Sequence, residues 1–287
     1  MTPASIVRFN KSTTGRLVSN GMRLLDAVAP AAAERLAFEM FFTPQRKREE
    51  PSILGHRFSI AGDGPELAVW DWGEGRTVLL VHGWNSNAAQ LSGFVAPLLR
   101  AGHYVAAADM PAHGDSAGRR TNVLEMADAI LRIGRRVGPV HAVIAHSLGA
   151  AATIIALAEG LGAARAVLIA PPANLPLFAR EYARTIGLSP RSASRMVSRI
   201  DRLLGGRDAL DLTRLAGRQR ANALIVHDPA DREVPFADSR ALASAWPGAT
   251  LLPLSGAGHS RALRHPEVIS RAVGFVTEPA RLASLSA

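Results

Sequence analysis

The sequence predicts an α/β protein built on a mostly parallel sheet with helices covering both faces. Three observations carry that expectation. From residue 57 onward, short apolar runs alternate with helical patterns. The runs TVLLV, AVIA, AVLIA and ALIV are continuous and rich in β-branched residues, as strands buried on both faces must be. The chain has 287 residues, of which 48% are hydrophobic and 20% charged, enough for a large core and incompatible with a mainly disordered chain.

The elements follow in order. From Leu17 to Phe42 the sequence is amphipathic and helix-prone, and Pro30 divides it in two. At this point two readings stand side by side: a helix pair packed on the body, or a peripheral membrane contact through Phe38, Phe41 and Phe42 beside Arg46, Lys47 and Arg48. Strands are expected near 57–61 and 67–72, whose alternation suits an antiparallel hairpin, and then near 77–82, 104–108, 140–145, 165–170, 222–227 and 249–254. Helices are expected near 88–101, 121–137, 148–161, 236–246 and 264–277. Residues 173–220 break the alternation: they hold no strand-like run but show helical spacing in LFAREYARTIGL, SASRMVSRIDRLL and ALDLTRLAGRQR. The expected organisation is an N-terminal helical extension over 1–50, a core formed by 51–172 and 221–287, and a helical cap inserted at 173–220.

Composition narrows the chemistry. There is no cysteine, which excludes disulfides, thiolate metal sites and cysteine nucleophiles. The net charge of +9 is unevenly spread, with 1–50 carrying a net +3, 176–220 a net +6, and the rest balanced. No nucleic-acid-binding motif accompanies it, so no nucleic-acid partner is expected. Val137 to Ala158 is free of formal charge, but Pro139, His141, His146 and Ser147 make it a strand, sharp turn and helix rather than a membrane span. With no signal-like apolar stretch in MTPASIVRFNKSTTGR, the expectation is a soluble, cytoplasmic protein without stable membrane insertion.

In an open parallel sheet, ligands meet the loops at the carboxyl ends of the strands. There the sequence places His82-Gly83-Trp84, then Asp109 to Ser116, His146-Ser147-Leu148-Gly149, Asp228 with Asp231, and Gly256-Ala257-Gly258-His259. A serine, an acid and a histidine thus end three strands of one sheet. A serine hydroxyl becomes a strong nucleophile when an imidazole takes its proton, and the imidazole needs a carboxylate to hold its tautomer. Ser147 sits between small flanks in AHSLGA, suited to a tight turn opening a helix. The backbone N–H groups of Leu148 and Trp84 are the candidate oxyanion donors. Asp228 and Asp231 both remain candidates for the acid, and His265 is a rival to His259. Ser147 could instead only cap its helix. His82 is expected to brace the oxyanion loop, and Trp84 to line an acyl pocket or pack in the core. His103, Asp109, His113 and Asp115 match no metal-site spacing, and no GxGxxG or Walker loop opens a helix, so neither metal nor cofactor is expected.

Together these segments resemble serine hydrolases of the α/β-hydrolase fold, of the esterase and lipase kind. The matching pieces are VLLVHGW at 78–84, DMPAHGDS at 109–116, AHSLGA at 145–150, HDPADREVP at 227–235 and GAGH at 256–259. The likeness runs from about residue 57 to 277, omitting the cap. It implies Ser147 as nucleophile, Asp231 as acid and His259 as base, acting on a small ester-like substrate through an acyl-serine intermediate. Acyl transfer, thioester, amide or peracid chemistry would use the same residues, and a non-catalytic binder could retain the fold. One departure is Ala145 where the family usually has glycine; a slight helix shift is expected to absorb the methyl.

Overall fold

The computed structural model describes residues 13–206 and 210–278. Residues 1–12, where the sequence lacks a signal-like stretch, residue 209 at the start of the third helical pattern of the cap, and 279–287 at the end of the core segment lie outside the described residues.

All eight expected strands form, each within a residue of its expected ends: β1 (His56–Ile60), β2 (Leu67–Trp72), β3 (Arg76–Val81), β4 (His103–Ala108), β5 (Val140–His146), β6 (Arg165–Ile169), β7 (Asn222–His227) and β8 (Ala249–Pro253). They make one sheet in the order β1-β2-β4-β3-β5-β6-β7-β8. Strand β2 runs antiparallel to both β1 and β4, and every other pairing is parallel. The central strands are buried on both sides. Leu79, Val81, Val143 and Ala145 face one apolar layer, whereas Val78, Leu80, Ala142 and Ile144 face the other. A two-residue period with both phases buried explains why these strands read as unbroken apolar runs.

The connecting helices are α3 (Ser92–Arg100), α4 (Val123–Val137), α5 (Leu148–Ala158), α9 (Phe236–Ala245) and α10 (Pro266–Thr277). Helix α5 carries no charge because it lies between the sheet and neighbouring helices, with Gly149 through Ala156 all buried. Among the described residues no helix is long and apolar enough to cross a membrane. The Val137–Ala158 run is accounted for by burial.

Residues 173–220 contain α6 (Leu175–Thr185), α7 (Pro190–Leu203) and α8 (Leu212–Ala216). Of the N-terminal helices α1 (Thr13–Val28) and α2 (Pro30–Phe41), α2 packs against α6 and α7 and α1 packs against α2. Buried Asp26 accepts from the Ser189 N–H at 2.7 Å and the Ser192 hydroxyl at 2.5 Å. Arg195 pairs with Glu34 at 2.8 Å, and the Arg199 guanidinium lies 3.9 Å over the Phe38 ring. Phe41 meets Tyr182 edge-on at 5.1 Å, while Phe38 and Phe42 are buried. Two of the three aromatics of the membrane reading, Phe38 and Phe42, thus lie against the protein, and Phe41 is half-buried. Burying them inside is worth about 1.5–3 kcal/mol per side chain, more than a superficial contact would return.

Candidate active site

Strand β5 ends at His146, and α5 begins at Leu148, leaving one residue to reverse the backbone. That residue, Ser147, has φ 52° and ψ −127°, a conformation that costs a non-glycine residue about 1–3 kcal/mol. Its amide is anchored to the Ile169 carbonyl on β6 at 2.9 Å, and its own carbonyl accepts from Ala150 at 2.9 Å. Its side chain makes no capping bond to α5, so the reading of Ser147 as a helix cap is not what the geometry uses.

The Ser147 oxygen lies 3.0 Å from Nε2 of His259, and Nδ1 of His259 lies 2.8 Å from Oδ2 of Asp231. The Asp231 side chain is completely shielded from solvent. Burial alone would raise its pKa, but hydrogen bonds from His227 and His259, the charge of His259 and the Glu233 amide outweigh it and hold the carboxyl well below the usual range. An ionised Asp231 can only accept, so His259 donates through Nδ1 and its Nε2 is left to accept from the Ser147 hydroxyl. Such a series can carry a proton from oxygen to nitrogen while the carboxylate balances the resulting charge.

The loops are set by identifiable contacts. His259 follows Gly256 at φ 85° and Gly258 at φ 65°, a turn suited to glycine. The Gly258 amide donates to Asp228 Oδ2 at 2.6 Å, and the Ala230 amide to Asp228 Oδ1 at 2.8 Å. Asp228 thus ties the histidine-bearing loop to the Asp231 turn and does not hold the imidazole of His259. His265 occupies the N-cap position of α10 without a side-chain capping bond, and the imidazole that reaches the Ser147 oxygen is that of His259.

The profile of the alpha/beta hydrolase family matches residues 78–272, more than half of the chain. The chain belongs to the alpha/beta hydrolase family. No curated protein matches it in sequence. Solved structures similar to it include the esterase Pf2001 of Pyrococcus furiosus, at 21% identity and a TM-score of 0.63, covering 82% of this chain and 98% of that one. A structure described as a membrane phospholipase A, a bacterial virulence factor, is similar at 17% identity and a TM-score of 0.60, covering 91% of this chain and 94% of that one. The thioesterase domain from the curacin biosynthetic pathway is similar at 15% identity and a TM-score of 0.59, covering 78% of this chain and 99% of that one.

The remaining expected residues can now be placed on this family's fold. Gly83 lies against the serine turn: a Cβ there would come within 3.0 Å of the Ser147 Cβ and 3.1 Å of the His146 carbonyl oxygen. The following residue, Trp84, packs its ring edge-on against His113 at 5.1 Å. Leu148 is the first residue of α5, where a helix amide has no intrahelical acceptor. His82 donates from Nδ1 to the Gly83 carbonyl at 2.7 Å and accepts at Nε2 from the Met110 amide at 2.9 Å, joining the loops after β3 and β4. His113 accepts from the Asn85 amide at 3.2 Å. Burial lowers their pKa values to about 4 and about 3, respectively. Asp109 is similarly committed, accepting from the amides of Ala88 and Asp115. His103 stands at the opposite end of β4 from Asp109.

The tight approach at the serine turn falls on Gly149, where a Cβ would collide with the His82 carbonyl; buried Ala145 is accommodated within β5. Two contacts had no clear sequence signal. His227, at the end of β7, donates from Nε2 to Asp231 Oδ2 at 3.2 Å and accepts at Nδ1 from the Ser239 hydroxyl at 2.6 Å. The buried ring of His146 lies 4.7 Å from that of His259. Their only trace was adjacency, with His146 beside Ser147 and His227 four residues before Asp231.

Proposed function

We propose that the protein is a serine hydrolase that cleaves carboxylic esters through an acyl-serine intermediate. The observation that carries this reading is the hydrogen-bonded series of Ser147, His259 and Asp231, with 3.0 and 2.8 Å links, built on a strained turn at the carboxyl edge of the sheet. The neighbours named esterase, thioesterase and phospholipase A support acyl-group chemistry as a class.

Ser147 attacks the ester carbonyl carbon as His259 Nε2 takes the hydroxyl proton. Asp231 holds His259 in the required tautomer and stabilises its charged form. The N–H groups of Trp84 and Leu148 receive the negative charge that develops on the carbonyl oxygen. The tetrahedral intermediate collapses, and His259 returns the proton to the departing alcohol. Water then gives a proton to the same nitrogen and attacks the acyl-serine carbonyl carbon; as the bond to Ser147 breaks, His259 returns that proton to the serine oxygen and the acid departs. These steps draw on neither metal nor cofactor. On this reading α6, α7 and α8 form a cap beside the site.

A fluorophosphonate probe and a panel of chromogenic esters of varied acyl length, applied to wild type and Ser147→Ala, test the proposal. The expected result is labelling confined to Ser147 and a loss of turnover of about 10⁴-fold or more in the variant. Folded wild-type protein that neither labels nor turns over any ester would make it a binder and overturn the reading. Turnover that requires an added acyl acceptor other than water would replace hydrolysis with acyl transfer.

A further inference from the structure

We propose that the outer face of α1 is a docking surface for an anionic lipid bilayer. The helix is two-sided. Ser19, Met22 and Asp26 are buried against the protein, whereas Leu17, Leu24 and Val28 are 68%, 71% and 82% exposed. The spacing of the last three, i, i+7 and i+11, sets them on one stripe, with Gly21 at i+4 leaving the stripe flat. Arg16 and Arg23 are exposed along the flank. The one acid of the helix, Asp26, is turned inward and occupied by Ser189 and Ser192. A row of aliphatic side chains edged by arginines and free of exposed acid is the pattern of a helix lying in a lipid headgroup region.

A second, independent observation lies in the neighbouring elements. Exposed large hydrophobic residues are concentrated on α1, α2, α6 and α7, where Leu36, Leu177 and Leu203 join the three of α1; Leu54 alone lies elsewhere among the described residues. The whole excess of positive charge resides in 1–50 and 176–220, and among the described residues α2 of the first segment packs on α6 and α7 of the second. Of the eight acids in the described part of this assembly, three are paired with arginines, Glu34 with Arg195, Glu39 with Arg120 and Glu181 with Arg184, and Asp26 is turned inward. Exposed apolar surface and unbalanced positive charge therefore coincide in one group of helices.

Charge complementarity selects the occupant. A second copy would bring the same positive charge to the face and be repelled, whereas a bilayer with anionic headgroups supplies the opposite sign and an apolar interior. The attraction is screened by salt. This surface is distinct from Phe38 and Phe42, which are buried.

Co-sedimentation of the full chain with vesicles tests the proposal without reference to enzymatic activity. Binding is expected to vesicles of phosphatidylcholine and phosphatidylglycerol in equal parts, to fall at least about tenfold on vesicles of phosphatidylcholine alone, and to weaken with added salt. The combined variant Leu17→Ser, Leu24→Ser and Val28→Ser should keep its circular-dichroism spectrum and lose the binding at least about tenfold. Arg16→Gln with Arg23→Gln should lessen the preference for the anionic vesicles. Wild type that fails to sediment with anionic vesicles, or a folded triple-serine variant that sediments as well as wild type, would overturn the proposal. A concentration-dependent dimer that the serine variant abolishes, without vesicle binding, would assign the face to a second copy.

Discussion

His227 shares the Oδ2 oxygen of Asp231 with His259, approaching it at 3.2 Å where His259 approaches at 2.8 Å. The shared carboxylate is thereby held from two sides; being an acceptor only, it places the proton of His227 on Nε2 and leaves Nδ1 to accept from the Ser239 hydroxyl at 2.6 Å. Replacing His227 by Leu removes one donor from a buried carboxylate and leaves the Ser239 hydroxyl without its acceptor. On the proposed mechanism, kcat should fall about tenfold with little change in KM, and stability by about 1–3 kcal/mol. Steady-state kinetics across pH and urea unfolding check this. A kcat and pH profile equal to wild type would show that His227 is only packed there.

The two aspartates after β7 should separate cleanly. Asp231→Asn takes away the acceptor that holds the tautomer of His259, so ester turnover should drop about 10³–10⁴-fold while the protein stays folded. Asp228→Asn keeps one acceptor oxygen but weakens the links to Gly258 and Ala230, costing about 1–3 kcal/mol of stability and much less activity. If Asp228→Asn proved the more damaging to kcat, the assignment of roles would be reversed.

Stability should depend on pH through His82 and His113. Burial holds them at about 4 and about 3, whereas an unfolded chain protonates its histidines near 6.5. The unfolded state therefore gains protons first as pH falls. The contribution is intact above pH 6.5 and declines as pH drops toward 4, by about 3 kcal/mol for each histidine. Asp109, whose carboxyl is pushed up by burial, offsets part of this near the acid end. Urea midpoints should hold level from pH 8 to about pH 6.5 and then decrease toward pH 5, and a series flat down to pH 5 would contradict the neutral, hydrogen-bonded state assigned to both rings.

Gly149 should tolerate no side chain. In Gly149→Ala the added methyl meets the His82 carbonyl, which is backbone and cannot swing away. Separating the first turn of α5 from the loop after β3 should cost about 1–3 kcal/mol and displace Ser147 relative to the Trp84 amide. Activity should fall further than stability accounts for, which a comparison of kcat with the unfolding midpoint will reveal. An alanine variant indistinguishable from wild type would mean that the loop has slack absent from the structure.

The strands were legible because burial on both faces leaves a local mark, an unbroken β-branched run that needs no knowledge of its neighbours. The serine turn was legible for a related reason: one residue between strand and helix demands small flanks, and AHSLGA shows them. Chain order alone also placed a serine, an acid and a histidine at strand ends of one sheet. Choosing between Asp228 and Asp231 was different in kind, since both lie in the same turn and their partners lie elsewhere in the chain. So was the direction of Phe38 and Phe42, which the amphipathic pattern of α2 left open between lipid and protein.

By itself, then, the sequence determined the sheet, the order of its elements and the presence of a serine, a histidine and two candidate acids at its carboxyl edge, because each rests on periodicity or spacing within a few residues. Only the tertiary structure decided that Ser147 and His259, 112 residues apart, come within 3.0 Å, that His227 joins them at Asp231, and that basic and apolar surface gather on one set of helices. Those relations depend on how strands cross and helices dock. Such long-range geometry is the sum of many packing contacts and leaves no periodic trace in the chain.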